Sequence, residues 1–403
     1  MRLTIIGINY APEPTGIAPY TAGAAEGLRA AGEEVTVITG YPHYPWWRIA
    51  DGYTGSQRRE LLNQVPVRRL RHPVPRHGSL IARSVMEVVF GLRACLVSWS
   101  KPEVTLAITP ALLSTALGVL RARLTRRAVV VWVQDIYTLS AAETGLAAKA
   151  AGIIRAVESW TLRRATRVVV IHDRFAAYVT AKLGVEAGRV DVVRNWTHLS
   201  QPVTVAVPAV RERHGWATDD VVVLHAGNMG AKQNLESVVR ASALAADQGS
   251  RVRFVLLGDG NQRKALQAMG ANPNLQFIDP LPDDGFAATL RSADILLVNE
   301  LPGMTEMSVP SKLTSYYSTG LPVLAAVDPG SVTAEEIAAS GGGLCVPPDD
   351  PEALVQAALS LSDPTLAAKL GTAGLRYRTT ELGAETAIGR LHSTLQRAAA
   401  RQD

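Results

Sequence analysis

The chain of 403 residues is too long for one ordinary hydrophobic core and calls for two domains of about 200 residues each. Its apolar fraction of 47% excludes a disordered chain, and its two cysteines, far apart, exclude a disulfide framework or a cysteine-held metal and suit a reducing cytosol. The net charge of +5 hides an imbalance: residues 1–200 hold 25 Lys and Arg against 14 Asp and Glu, whereas the rest holds 16 against 22. A basic half of this kind suits an anionic partner, whether a lipid headgroup, a lipid diphosphate or a nucleic acid.

The opening run MRLTIIGINY is too short for a secretion leader and reads as a first strand. No window approaches the roughly 20 apolar residues that span a bilayer. The longest apolar stretch, residues 107–120, reads as a buried helix. The first half then alternates β-rich runs at 3–8, 35–40, 104–109, 128–135 and 167–172 with helical patterns at 18–30 and 79–99. Between them lie the turn-rich YPHYPWWRIADGYTG and a strand pattern in PVRRLR. QPVTVAVPAV at 201–210 has no helical period and reads as a linker. After it the pattern starts afresh, with strands at 221–227, 251–258, 275–279, 293–299 and 321–327 and helices at 234–247, 261–269, 284–292 and 310–319. β-branched runs separated by helices are the mark of parallel βαβ units. The fold expected is therefore α/β, with two Rossmann-like parallel-sheet domains facing a cleft: residues 1–200, residues 201–375, and a C-terminal helix at 376–403 returning to the first domain.

Chemistry concentrates in the loops after strands. In GINYAPEPTGIAPY the strand ends at Gly7, and Thr15 and Gly16 open a helix whose amides suit an anionic oxygen, although a plain connection fits as well. The fingerprint G-x-G-x-x-G is absent. In HAGNMGAKQNLESV, Gly227 and Gly230 follow a strand, flank Asn228, and precede Lys232 at a helix start. Glycines let backbone approach a diphosphate, and a lysine there balances its charge. The strongest local signal is MSVPSKLTSYYSTGLPV: Pro310 suits the first helical position, and Val309, Ser311 and Lys312 surround a helix start. A cation there opposes the helix dipole and calls for an anion nearby. Gln134 and Asp135 end the run AVVVWVQD, where a carboxylate serves as base or orienter, or caps the next helix. His43, amid aromatics, reads as structural. Trp46, Trp47 and Arg48 in a basic domain suit an anionic membrane surface, as do the arginine clusters, which read equally as solvated faces. No D-x-D pair, histidine cluster, P-loop or nucleophile elbow occurs.

Together GINYAPEPTGIAPYTAGAAEGL, TGYPHYP, WVQDIY, the G-N-x-G-x-K-Q-x-L run at 227–235 and VPSKLTSYYSTGLPV resemble family 4 glycosyltransferases of GT-B fold, and among them the exopolysaccharide, colanic acid fucosyltransferase-like branch. The resemblance runs over essentially the whole chain. It implies an enzyme that transfers a sugar with retention, without metal or cofactor, from a UDP- or GDP-sugar to a saccharide or an undecaprenyl-diphosphate-linked acceptor. By the same resemblance Gly16, Gly227, Asn228, Gly230, Lys232, Val309, Ser311 and Lys312 lie around the donor diphosphate. Gly258, Pro280, Leu281 and Ser315 lie near the ribose and base, and Gln134, Asp135, Lys232 and Lys312 are the candidates at the reacting centre. The expected protein is cytoplasmic, peripheral on the inner membrane face, and binds no nucleic acid. The chain departs from the family pattern at two points. Asn228 and Met229 occupy positions near which many relatives carry an arginine, and Met307 and Ser315 replace a pair of glutamates, with Glu306 adjacent to the first. Two other readings share the outline. An epimerase of the same fold needs a carboxylate and histidine set not found at matching positions, and a two-lobed sugar-binding protein normally carries a secretion signal.

Overall fold

The computed structural model describes residues 1–14, 16–75, 80–139, 148–196, 205–304 and 311–400. The chain divides into two compact units, residues 1–198 with 384–403 and residues 199–383.

The first unit is built on an eight-stranded sheet in the order β3-β4-β2-β1-β5-β6-β7-β8. Its strands are β1 (Arg2–Ile6), β2 (Glu34–Gly40), β3 (Gln57–Leu62), β4 (Val65–Leu70), β5 (Val104–Ile108), β6 (Ala128–Val133), β7 (Arg167–Val170) and β8 (Val190–Val192). Every neighbouring pair is parallel except β3 with β4. Strands β5, β6 and β7 are buried along their whole length, as expected where helices cover both faces. On one face α1 (Ala18–Ala30) packs beside the C-terminal helix α14 (Ala384–Ala399); on the other lie α2 (Leu80–Leu96), α3 (Leu112–Leu124), α4 (Ala148–Arg164) and α5 (Asp173–Ala181).

The second unit has a six-stranded, wholly parallel sheet in the order β11-β10-β9-β12-β13-β14. It comprises β9 (Val221–Ala226), β10 (Val252–Leu257), β11 (Leu275–Ile278), β12 (Ile295–Asn299), β13 (Val323–Ala326) and β14 (Gly343–Val346). The helices, in chain order, are α6 (Val207–His214), α7 (Leu235–Asp247), α8 (Arg263–Ala268), α9 (Asp283–Ser292), α10 (Ser311–Tyr317), α11 (Val332–Ser340), α12 (Pro351–Leu361) and α13 (Pro364–Thr380). Both units are parallel-sheet α/β domains. Strand order reverses between β1 and β5 in the first and between β9 and β12 in the second. Crevices open at such switch points, outside the carboxyl ends of the strands.

Several expectations are corrected. The apolar stretch 107–120 is not one helix: β5 runs through Ile108, Thr109-Pro110 turns the chain, and α3 follows. The expected linker at 201–210 gives way to helix from Val207, because Pro208 falls in the first turn, where its missing N–H is not needed. Strand β3 went unread because QRRELL looks like a solvated charge run. It is an edge strand, joined to β4 through Asn63 and Gln64, whose φ values of 47° and 64° fit a two-residue hairpin turn. The short strands β8 and β14 were likewise not read. The last segment is two helices. α13 stays with the second unit, where Tyr377 meets Tyr317 edge-on at 6.3 Å and Leu382 joins the core. α14 belongs to the first unit, burying Ala387, Leu391, Leu395 and Ala398 against Ala24, Ala25 and Leu28. His392 Nε2 bonds Glu33 Oε1 at 2.5 Å and Arg397 donates to Asp191 at 2.8 Å. The domain boundaries accordingly fall at residues 198 and 383 rather than at 200 and 375. No helix among the described residues is long and apolar enough to cross a membrane.

Candidate functional site

The carboxyl ends of β9 and β12 bring together residues that are distant in sequence. Strand β9 ends at Ala226, and Gly227 turns away with φ of +125°. The next loop over, after β10, is equally tight: Gly258 has φ of +130°, and a Cβ there would sit 2.1 Å from the Gly227 carbonyl oxygen. The two loops therefore touch backbone to backbone, an approach that only glycine permits. A Cβ on Gly227 would meet Lys312 Cε at 3.2 Å, so the lysine of α10 lies directly against this loop.

Lys312 is half-buried. Its Nζ lies 3.1 Å from His225 Nε2, within hydrogen-bonding distance. Burial and the adjacent ammonium hold His225 neutral, well below the usual histidine range. Burial lowers Lys312 itself to about 7, opposed by the carboxylate of Glu300 just past β12. Burial raises Glu300 in turn, opposed by a 2.5 Å hydrogen bond from Thr333 Oγ1 and by Lys312. Burial disfavours the ammonium of Lys312, and an incoming anion would favour its charged form.

The loop after Gly227 is braced on all sides. Gly230 N donates to Gln233 Oε1 at 3.0 Å and starts a single 3-10 turn, Ala231–Gln233. Asn299, ending β12, donates from Nδ2 to the carbonyls of Gln233 and Asn234 at 2.9 and 2.8 Å. Leu301 N donates to the Lys232 carbonyl at 2.9 Å. The Lys232 side chain is exposed on this turn, while Asn228 packs beside Gly230. Ser315 lies one turn after Lys312 on α10, half-buried, its carbonyl accepting from Ser318. Pro280 and Leu281 follow β11 at the sheet edge, with Leu281 packed on the core. Glu306, Met307, Val309, Pro310 and the Ser311 side chain lie outside the described residues, as does Thr15.

In the first unit the strand-end groups bond their neighbours. Gln134 is buried: its N–H donates to Thr109 Oγ1 at 3.0 Å and its Oε1 accepts from Asn195 Nδ2 at 2.8 Å. Asp135 keeps exposed surface, and its Oδ1 accepts from Ile136 N at 2.8 Å, the bond of a chain-turning aspartate. Gly16 has φ of +69° and lies against the Tyr44 ring. Glu13, not singled out from sequence, is buried and accepts from the amides of His43 and Tyr44 at 2.7 and 2.9 Å and from Asn9 at 2.8 Å. His43, 3.2 Å from Glu13 and edge-on to His72, is part of this brace, as its aromatic surroundings suggested. Among the described residues no three His, Cys, Asp or Glu side chains converge as metal ligands would.

Residues 15–196 match a domain described as "Glycosyl transferase 4-like domain", and residues 220–363 match "Glycosyl transferases group 1". The chain is a glycosyltransferase. It is 29% identical over 378 residues to WcaI of Escherichia coli K12, named for colanic acid biosynthesis, which spans 88% of this chain and 90% of that one. The fold is that of GT-B glycosyltransferases. Sucrose-phosphate synthase of Thermosynechococcus elongatus superposes with a TM-score of 0.74 at 19% identity over 100% of both chains. HepE of Anabaena, solved with UDP and glucose, gives 0.71 at 15% identity over 98% of this chain and 100% of its own.

Of the residues that meet at this strand edge, the sequence singles out Gly227, Gly230, Lys232 and Lys312 but not His225, Asn299 or Glu300. His225 sits inside a run of valines and Glu300 immediately after a strand of leucines. Both read as incidental until β9 and β12 are known to be neighbours.

Proposed function

We propose that the enzyme transfers a sugar, with retention and without a metal, from a nucleoside diphosphate sugar to a saccharide or lipid-linked acceptor in the synthesis of a cell-surface polysaccharide. The observation that carries this reading is the contact of Gly227, Gly258 and Lys312 at the switch point of the second sheet: open backbone beside a half-buried cation whose charge an anion would restore. There Lys312, with Lys232 on the turn above, takes up the negative charge that develops on the departing diphosphate, the work a metal does elsewhere. Gly230, Asn228 and the opening of α10 complete the diphosphate cradle. Ser315 lies toward the ribose, and the loop carrying Pro280 and Leu281 toward the base. HepE, of the same fold, was solved with UDP-glucose, and WcaI carries a polysaccharide assignment. Both support a nucleotide-sugar donor and this pathway class. On the acceptor side Asp135, the more accessible of the two residues following β6, is the candidate to meet the attacking hydroxyl, and Gly16 shapes the loop after β1.

The test is transfer itself. Purified enzyme with EDTA is given a panel of radiolabelled UDP- and GDP-sugars and a bacterial lipid extract. Label moving into the lipid phase, with nucleoside diphosphate released in equal amount and the anomeric configuration kept, is the expected result. Transfer that needs an added divalent ion, or that inverts the configuration, would overturn the reading.

A further inference from the structure

Two buried carboxylates of the first unit play no part in the site described above, and both hold the turn that follows Asp135. Glu158, on α4 and 3% exposed, accepts from the Tyr137 amide through Oε1 at 2.8 Å and from the Thr138 amide through Oε2 at 3.0 Å. The Thr138 hydroxyl donates to the same Oε2. Glu87, on α2, accepts from the Tyr137 hydroxyl at 2.5 Å and from the Leu113 amide at 2.9 Å. Ile136, directly after Asp135, is buried in the core. Residues 136, 137 and 138 are thus each held, while Asp135 beside them keeps exposed surface.

Amide donors alone do not call for an acid. A glutamine would accept from them without taking a charge out of water, and among the described residues neither carboxylate forms an ion pair. Burial raises the Glu158 carboxyl to about 7; the Thr138 and Tyr137 amides oppose the rise, and the charge of Asp135 adds to it. Burial raises Glu87 too, opposed by the Tyr137 hydroxyl, the Leu113 amide and Arg83. Helix α3, packed against α4, carries no carboxylate, and its Arg121 is bound to the carbonyls of Ala94, Cys95 and Val97. An acid that titrates near neutrality, behind a strand end where ligands bind, is placed to do more than brace the fold.

We propose that Glu158 is a positioning residue for sugar transfer: its ionised carboxylate fixes the turn after Asp135, and with it the carboxylate that meets the acceptor hydroxyl. The inference rests on that reading of Asp135. Ionised, Glu158 offers two charged oxygens to three donors. Protonated, its Oε2 becomes a donor; the Thr138 hydroxyl can turn to accept from it, but the Thr138 amide loses its charged acceptor. The turn is therefore held above about pH 7 and loosened as pH falls through that value. Lys312 works in the opposite sense, since its charge favours nucleotide binding below about 7. Together the two groups give transfer a maximum near neutrality.

Deuterium exchange of the Tyr137 and Thr138 amides, read by mass spectrometry and corrected for the intrinsic effect of pH, tests the turn without any substrate. Wild-type protection should rise about tenfold from about pH 6 to about pH 8, and stay flat in Glu158→Gln. Transfer is then followed with the labelled donor at saturation, where bound diphosphate keeps Lys312 charged, and the bacterial lipid extract as acceptor. The wild-type rate should rise about tenfold over the same range, with its midpoint near 7. Glu158→Gln, uncharged at every pH, should lose that step and run about tenfold slower at the alkaline end, with nucleotide affinity within about twofold of the wild type. In an Asp135→Asn background the same change should cost little more, since both act on one group. The inference is overturned if wild-type protection ignores pH, if folded Glu158→Gln keeps the wild-type step, or if its effect adds in full to that of Asp135→Asn. Nucleotide affinity that falls together with activity would make Glu158 a prop of the fold and also overturn it. If Glu158→Gln melts, the wild-type exchange and rate profile carry the test; if no donor is transferred at all, the proposed function fails and exchange alone judges Glu158.

Discussion

The two sheets end in opposite ways at their carboxyl edges, and the contrast shows where a ligand is expected. In the first unit the polar groups near the switch point bond other parts of the protein, although Asp135 keeps exposed surface. Glu13 is wrapped in amides, Gln134 is joined to Asn195, and Asp135 bonds its own next amide. In the second unit the edge is made of glycine backbone, and half-buried Lys312 lies between a neutral histidine and a carboxyl that burial raises. A site whose charges are already balanced has little to gain from an anion. A site that holds a lysine below its ordinary range has much to gain.

Four changes would break or sharpen that comparison, taken from the largest expected effect. Gly258→Ala forces a Cβ into the Gly227 carbonyl at a backbone angle that alanine avoids, and should destabilise the second domain by about 3 kcal/mol or more, read as a fall in its urea midpoint. Glu13→Gln removes a buried carboxylate that three donors share. It should lower stability by about 1–3 kcal/mol while leaving nucleotide affinity within about twofold, since the brace belongs to the other unit. Lowered affinity at full stability would contradict the division of labour drawn here. The third change is of pH. Free Lys312 titrates at about 7, so it is charged below that value and neutral above it. Nucleoside diphosphate affinity should hold steady below about pH 7 and fall above it, by up to about tenfold per unit, because binding then takes up a proton. Calorimetry in buffers of different ionisation enthalpy would show the proton uptake directly. The smallest effect is expected from Lys232→Ala, about 1 kcal/mol of nucleotide affinity, because its ammonium is exposed and screened.

Much of the fold was legible in the sequence because parallel strands buried on both faces show as β-branched runs, as in AVVVWV and VVVLHA. What was missed follows physical lines. QRRELL belongs to an edge strand, where one side meets solvent and charge is tolerated, so its pattern resembles a loop. Val207–Val210 looked like linker because a proline sits where helices accept one. The candidate site was half legible. Gly227, Gly230 and Lys312 advertise themselves by local spacing, but His225 and Lys312 are 87 positions apart and meet only because β12 pairs with β9. No local pattern encodes that pairing.

The measurement that bears most directly on the central claim is calorimetric titration of UDP and GDP into the wild type and into Lys312→Ala, with each protein's melting transition recorded alongside. The account predicts that one nucleotide binds the wild type and that the variant, still folded, loses about thirtyfold or more in affinity, as expected for a charge-assisted contact worth about 2 kcal/mol. Equal affinity in a folded variant, or no binding of either nucleotide to the wild type, would contradict it.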